Sequence, residues 1–292
     1  MKRLRLAALG VLAMLLTTAA PVSAVTYGEP DANEHPYVGF LIFYDAVAES
    51  WFSCSGTLLS PTVVLTAGHC VYDIGVNGED EGHSGGTDIW VTFDPTEALE
   101  GWPARNPENP YPERAAWLQA ADKYTRGTAY PSPQYDNFSG FPVNYDVGIV
   151  VLDEPVVMQQ YGELAPLATA DQLARQARSR NVSLIESVGY GIQSIQPKPM
   201  DIESRYKSTS RIVEVNGKAA TSGNLHTLNN PSAVGGRGGT CSGDSGGPLF
   251  VNNTNDIVAV VSYGFSGTCH GADYSWRVDT QSSYDFILPF LD

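Results

Sequence analysis

The chain has 292 residues, 42% of them hydrophobic, and its 32 acidic against 17 basic residues leave a net charge of −15. That length suffices for one large domain or two of ordinary size. The acidic balance argues against nucleic acid as a partner, because a phosphate backbone would be repelled.

Residues 1–24 read as an export signal: Lys2, Arg3 and Arg5 form a positive start, Leu6 to Leu16 is almost wholly apolar, and Val22-Ser23-Ala24 has the small-x-small pattern of a cleavage site. The apolar run is too short to cross a bilayer, and no later stretch approaches the roughly 20 apolar residues a membrane helix needs. The expected product is residues 25–292, secreted to the extracellular space and free of the membrane once the signal is cut. Removing the signal deletes three basic residues and no acidic ones, which takes the charge from −15 to −18.

Short apolar runs bounded by Gly, Pro and Ser follow along the chain, at Tyr37–Tyr44, Ser55–Leu59, Thr62–Leu65, Ile89–Phe93, Val147–Leu152, Ser183–Val188, Ser208–Val215, Gly247–Val251, Ile257–Tyr263 and Asp273–Val278. Their length and their Val, Ile, Thr and Tyr content predict strands, and their number and spacing predict an all-β sandwich or barrel. Helical character is limited to Ala115–Lys123, Ala170–Arg178 and a short terminal helix within Ser282–Leu291, interrupted by Pro289. Residues 75–144 are irregular and longer than a connection within a compact domain requires, so they are expected to decorate one end of the barrel. Residues 155–170 read as the crossing between two halves.

Cys54 and Cys70 are near neighbours in sequence, as are Cys241 and Cys269. Four cysteines in an oxidising compartment suggest two disulfides, and of the three possible connectivities local pairing is the simplest. Each such loop would add roughly 3 kcal/mol in the chain-entropy account. Metal binding lacks the usual Cys-x₂-Cys spacing, and no metal or other cofactor is expected.

Two of these cysteines flank chemistry. Leu65-Thr-Ala-Gly-His-Cys70 places His69 at the end of an apolar run, and Cys241-Ser-Gly-Asp-Ser-Gly-Gly-Pro248 presents Ser245 on a glycine-rich turn with small neighbours. A serine hydroxyl is a weak nucleophile until a base takes its proton, so a serine and a histidine each held beside a staple suggest acyl transfer. The other histidines, His35, His83, His226 and His270, stand in no such motif.

With Asn144-Tyr-Asp-Val-Gly-Ile-Val-Val-Leu152, Val188-Gly-Tyr-Gly191 and Val261-Ser-Tyr-Gly264, these motifs resemble the chymotrypsin family of trypsin-like serine peptidases across residues 25 to about 280. The resemblance implies two six-stranded antiparallel β-barrels, about 25–155 and 170–280, packed with the active site in the cleft between them. It implies a triad in the chain order His69, Asp146, Ser245. Ser245 would attack the scissile carbonyl, His69 would carry the proton, and Asp146 would orient the ring. The N–H groups of Gly243 and Ser245 would form the oxyanion hole, with Ser262 supporting Asp146. Protein or peptide substrates and a monomeric enzyme are implied.

The same resemblance predicts that the amine of Val25, freed by signal cleavage, pairs with Asp244. It places the primary substrate pocket at Gly239, Thr240, Ser262, Tyr263, Gly264 and Ala272. The position where trypsin-like members carry a floor aspartate is Gly239, which favours an uncharged pocket. Aligning Tyr274 with the family tyrosine turns Asp273 away. A one-residue slip would turn it in, because side chains alternate along a strand, and would restore a preference for basic residues. Glu79-Asp80-Glu81 is read as a solvated acidic loop, with calcium binding as the other reading. A peptidase homologue that only binds a partner is the competing function, although all three triad residues are present.

Overall fold

The structure, a computed structural model, describes residues 25–96, 98–108, 110–178, 184–195, 198, 200–216, 223–230 and 238–291. The expected export signal lies outside these residues. After a two-residue strand β1 (Glu29–Pro30), six strands close the first barrel: β2 (Val38–Asp45), β3 (Ser50–Ser60), β4 (Val63–Thr66), β5 (Ile89–Thr92), β6 (Thr125–Pro131) and β7 (Gly148–Leu152). They pair antiparallel in the order β2-β3-β4-β7-β6-β5, and β5 returns to β2. A short β8 (Glu163–Leu164) precedes the second barrel of β9 (Leu184–Gly189), β10 (Tyr206–Val215), β11 (Asn224–Asn229), β12 (Pro248–Val251), β13 (Asp256–Gly264) and β14 (Gly271–Arg277). Its order is β10-β11-β14-β13-β12-β9, closed by pairing of β9 with β10, and β8 adds in parallel to β13.

The helices are α1 (Pro112–Ala120), α2 (Thr169–Arg178) and α3 (Gln281–Ile287), the last followed by a 3₁₀ turn at Leu288–Phe290. Pro112 opens α1, where its missing N–H costs nothing. Thr280 caps α3 by accepting a hydrogen bond from the Ser283 N–H at 3.4 Å.

One apolar core runs through the first barrel and across the barrel interface. Leu41, Val64, Leu65, Ile149 and Val150 meet Phe250, Val260, Trp276 and, from α3, Ile287. A second core fills the other barrel beneath α2, with Ile185, Leu225, Leu249 and Val258. The run Val38–Tyr44 is apolar at nearly every position, which requires cover on both faces of the strand. Leu41 and Phe43 point into the barrel, while Phe40 and Ile42 pack outward against Ala98, Ala115 and Leu118. Residues 93–124, part of the segment expected to be decoration, therefore complete a third apolar cluster.

Beyond the two-residue β1 and β8, two barrel strands were not legible in the sequence. In β6, Gly127, Ala129 and Pro131 face inward, and in β11, Asn224, Thr227 and Asn229 are buried alongside Leu225. Small or polar inward residues remove the apolar alternation by which a strand is recognised. The start of the chain also differs from expectation. Residues 25–37 do not begin the first barrel; β1 pairs with β10 of the second. Arg205, itself buried, draws Asp31 and Asn33 there through hydrogen bonds of 3.0 and 2.5 Å.

Candidate active site

Every sequence-derived triad residue lies where the two barrels meet. β4 ends in a 3₁₀ turn, Gly68–Cys70, that presents His69. A Cβ at Gly68 would stand 3.0 Å from Tyr135 and 3.2 Å from Asp146 Oδ1, so any larger residue in the turn would press on both by a few tenths of an ångström. Tyr145, with φ of 46°, bends the chain ahead of β7 and aims Asp146 into the interior. Asp146 is fully buried. Its Oδ1 accepts the backbone N–H of His69 and its Oδ2 accepts the ring Nδ1–H, both at 2.8 Å. From the other barrel, Ser262 Oγ donates to the same Oδ2 at 2.5 Å, and Asn144 Nδ2 donates to Ser262 Oγ at 3.2 Å. Burial disfavours a charged imidazole, but the Asp146 carboxylate and its hydrogen bond outweigh it and hold His69 above its ordinary pKa.

Ser245 stands on a turn forced by glycines at φ of 95° (Gly243) and 75° (Gly246). A Cβ on Gly246 would come within 2.0 Å of Thr66 Oγ1 and 2.7 Å of Ala67 N, so the turn docks against the chain just ahead of His69. Ser55 of β3 ties it down: its N–H donates to Ser245 O at 2.8 Å and its Oγ to Gly243 O at 2.9 Å. Among the described residues, neither the Gly243 nor the Ser245 N–H finds an acceptor, and Ser245 Oγ makes no hydrogen bond to His69. Such catalytic contacts are often long before substrate binds. Sequence reasoning missed Ser55 and gave no role to Asn144; both are small polar residues whose importance comes only from the partners folding brings them.

Asp244 is buried, with its oxygens accepting the N–H groups of Gly191 and Cys241, each at 2.9 Å. Burial, reinforced by the charges of Asp273 and Asp201, pushes its carboxyl up to about 7, and no cation pairs with it among the described residues. Val25 is also buried, and Thr26 lies between Ile192 and Gly239, accepting the Gly239 N–H at 3.2 Å. Thr26 thus meets backbone close in sequence to the Gly191 and Cys241 N–H groups that hold Asp244, while Val25 itself is joined to the preceding residue and offers no free amine.

A cavity of about 250 Å³ opens beside Ser245, lined among others by Thr240, Ser262, Tyr263, Gly264 and Asp273. Two pocket expectations are corrected. Ala272 is not among the lining residues and Asp273 is, while the buried Tyr274 stacks between Tyr263 and His226, at 4.9 and 4.8 Å. Gly239 does not form the floor either. It packs on Asn229, whose side chain would lie 2.3 Å from a Cβ there. Asp273 Oδ2 accepts the Thr240 N–H at 2.7 Å, and burial pushes its carboxyl up to about 6. Both disulfides pair locally, Cys54–Cys70 bracing the histidine turn and Cys241–Cys269 the cavity rim.

Comparison with known proteins supplies the family. The Trypsin family model matches residues 25–98 and 114–287, most of the chain. The chain belongs to the trypsin family. Serine protease 7 of Drosophila melanogaster is 26% identical over 271 residues, which cover 85% of this chain and 62% of that protein. Beta-fibrinogenase mucrofibrase-1 of Protobothrops mucrosquamatus is 27% identical over 262 residues, or 87% and 82% of the two chains. The solved structure of HL collagenase superposes with a TM-score of 0.62 at 15% identity, covering 91% of this chain and 98% of the other, a likeness in fold. The two closed barrels and short C-terminal helix are those of this trypsin-like serine protease fold.

The acidic loop of this family member takes a local arrangement. Asp80 accepts the Gly82 N–H, while the loop's backbone wraps onto the buried Asp88, which accepts from Asn77, Gly78, Tyr111 and Arg126. A guanidinium therefore holds the inner carboxylate of that loop.

Proposed function

We propose that the protein is a secreted serine endopeptidase acting through an acyl-enzyme. Membership of a protease family implies protein or peptide substrates. The observation that carries the reading is the Asp146–His69 pair, joined to the second barrel through Ser262 and set beside the glycine turn of Ser245. Ser245 Oγ attacks the scissile carbonyl as His69 takes its proton, and His69 returns that proton to the departing amine. Asp146 holds the ring tautomer and stabilises its protonated form. The free N–H groups of Gly243 and Ser245 receive the developing oxyanion. Replacing Ser245 by alanine is expected to lower kcat by about 10⁶-fold with an unchanged melting temperature. Hydrolysis at the unaltered rate would overturn the reading.

The primary cavity is best suited to a basic side chain. Asp273 presents a buried carboxylate held only by neutral donors, and an entering Lys or Arg would supply its missing counter-charge. Export follows from the signal at 1–24 and is consistent with two disulfides. Cleavage after Ala24 would free the Val25 amine, and the buried Asp244 carboxyl, which meets no cation among the described residues, is its proposed partner. Their ion pair would fix the Gly243–Ser245 turn in its working form.

A further inference from the structure

The loop that edges the Asp273 cavity is held from outside by the start of the chain. Residues 265–270 join β13 to β14, and two of them, Ser266 and Cys269, line the cavity beside Ser245. Local hydrogen bonds shape this loop. Ser266 O accepts the Cys269 N–H at 3.0 Å, and Ser266 Oγ accepts the N–H groups of Thr268 and His270, each at 3.3 Å. The His270 ring sits over the same turn, its Nδ1 3.3 Å from Thr268 Oγ1. A Cβ added at Gly267 or Gly271 would meet nothing within 4 Å, so packing does not press on the loop there.

Phe265 anchors one end on Tyr263 and Tyr274, with ring centres 5.5 Å away in each case, and the Cys241–Cys269 disulfide anchors the other. A third tie crosses to the chain start. Tyr27 Oη is hydrogen-bonded to His270 Nε2 at 2.9 Å, and the two rings lie 5.4 Å apart. The residue before it grips the opposite wall: Thr26 O accepts the Gly239 N–H at 3.2 Å, and the next residue, Thr240, gives its N–H to Asp273 at 2.7 Å. Consecutive residues thus hold both sides of one cavity. Tyr27 does so at a φ of 65°, a left-handed conformation that bulky side chains rarely adopt. Such a conformation persists only where its surroundings over-determine it, and it concentrates at ligand sites.

We propose that Tyr27 and His270 are a positioning pair for substrate selection, whose hydrogen bond fixes the Ser266–His270 rim relative to Asp273 and so the fit of the basic side chain before the scissile bond. Neither is among the residues lining the cavity, and neither touches the reacting atoms. A rim freed of this bond samples more than one width, and a substrate then binds only the fraction of molecules whose cavity fits it. The loss falls on KM for a side chain that fills the cavity.

This rests on the hydrolase reading and its basic cavity, and the experiment separates the three. Two peptide amides that differ only in arginine or alanine before the bond are cleaved by protein beginning at Val25, with active molecules counted by organophosphonate labelling of Ser245. In Tyr27→Phe, KM for the arginine peptide is expected to rise about tenfold while kcat stays within about twofold, and KM for the alanine peptide, which leaves the cavity empty, to change by less than about twofold. His270→Ala is expected to do the same. His270→Gln, whose amide still reaches the Tyr27 hydroxyl, keeps most of the affinity, and the double variant Tyr27→Phe, His270→Ala loses no more than either single one. Should His270→Ala fail to fold, Tyr27→Phe, which removes one oxygen atom, gives the same reading. An unchanged KM for arginine in Tyr27→Phe, an equal rise for both peptides, or losses that add in the double variant overturn the pair alone. No preference for arginine in the unaltered protein overturns the basic cavity and the pair together. Absence of label on its Ser245 overturns the hydrolase reading with them.

Discussion

Four side chains, His69, Asp146, Ser262 and Asn144, form a hydrogen-bonded line from the cleft into the interior, and the line crosses from one barrel to the other. Of the site's residues, His69 and Ser245 were legible because their motifs are rare in composition. Asp146 and Ser262 became so through resemblance. Asp273 was legible only as a choice between two registers, and the decision came from packing. Asp273 lines the cavity and accepts the N–H of Thr240, another lining residue, while Tyr274 stacks on Tyr263. Under the proposed basic-residue preference, a buried acid with a carboxyl raised to about 6 would make specificity depend on pH. Above that value the free enzyme carries a carboxylate in its pocket; below it, a neutral acid. The ratio of kcat/KM for basic over uncharged residues before the bond is expected to fall as pH drops through about 6. Asp273→Asn should remove that pH dependence and lower the ratio at pH 8 by about a hundredfold, since an unpaired buried cation costs several kcal/mol. Paired substrates assayed from pH 5 to 8 check both, and a ratio flat with pH in the unaltered protein would contradict the assignment.

At the scale of elements, strands with apolar runs were read to within a few residues, whereas β6 and β11 hide behind small and polar inward side chains. α1 was foreseen from its composition, but its purpose, covering the outward face of β2, could not be read before β2 had neighbours. The same holds for the chain start. Asp31 and Arg205 are far apart in sequence, and nothing local predicts that Arg205 Nε will donate to Asp31 Oδ2 at 3.0 Å or that Arg205 Nη1 will donate to Val38 O at 2.8 Å. Both side chains are buried. Arg205→Ala leaves the Asp31 carboxylate without its guanidinium, and a loss of about 3–5 kcal/mol in urea unfolding is expected. Burial alone would raise the Asp31 carboxyl, but the hydrogen bonds from His35 and the charges of His35 and Arg205 bring it below its ordinary value. A depressed carboxyl stabilises the fold above its unfolded pKa of 3.8 and ceases to do so as pH falls through the lower, folded value. Acid unfolding of Asp31→Asn should accordingly show a weaker pH dependence below pH 4 than the unaltered protein, and identical acid curves would contradict the pairing.

For the whole molecule, the two barrels share one apolar core, and the site lies where they meet: the first supplies His69, Asp146 and Ser55, the second Ser245, Ser262 and Asp273. The barrels themselves were legible from resemblance and strand count. The assignment of residues 25–37 to the second barrel was not, because it depends on long-range pairing of β1 with β10. Asp244, whose carboxyl burial raises to about 7, is the group proposed to receive the amine of Val25 once it is freed. The central claim, a serine nucleophile made competent when Val25 is freed, is tested most directly by labelling with an organophosphonate, followed by digestion and mass spectrometry. Protein beginning at Val25 is expected to carry one label, on Ser245, and the chain retaining residues 1–24 to react about a hundredfold more slowly. No label on Ser245 in folded protein beginning at Val25, or equal labelling of the two forms, would contradict it.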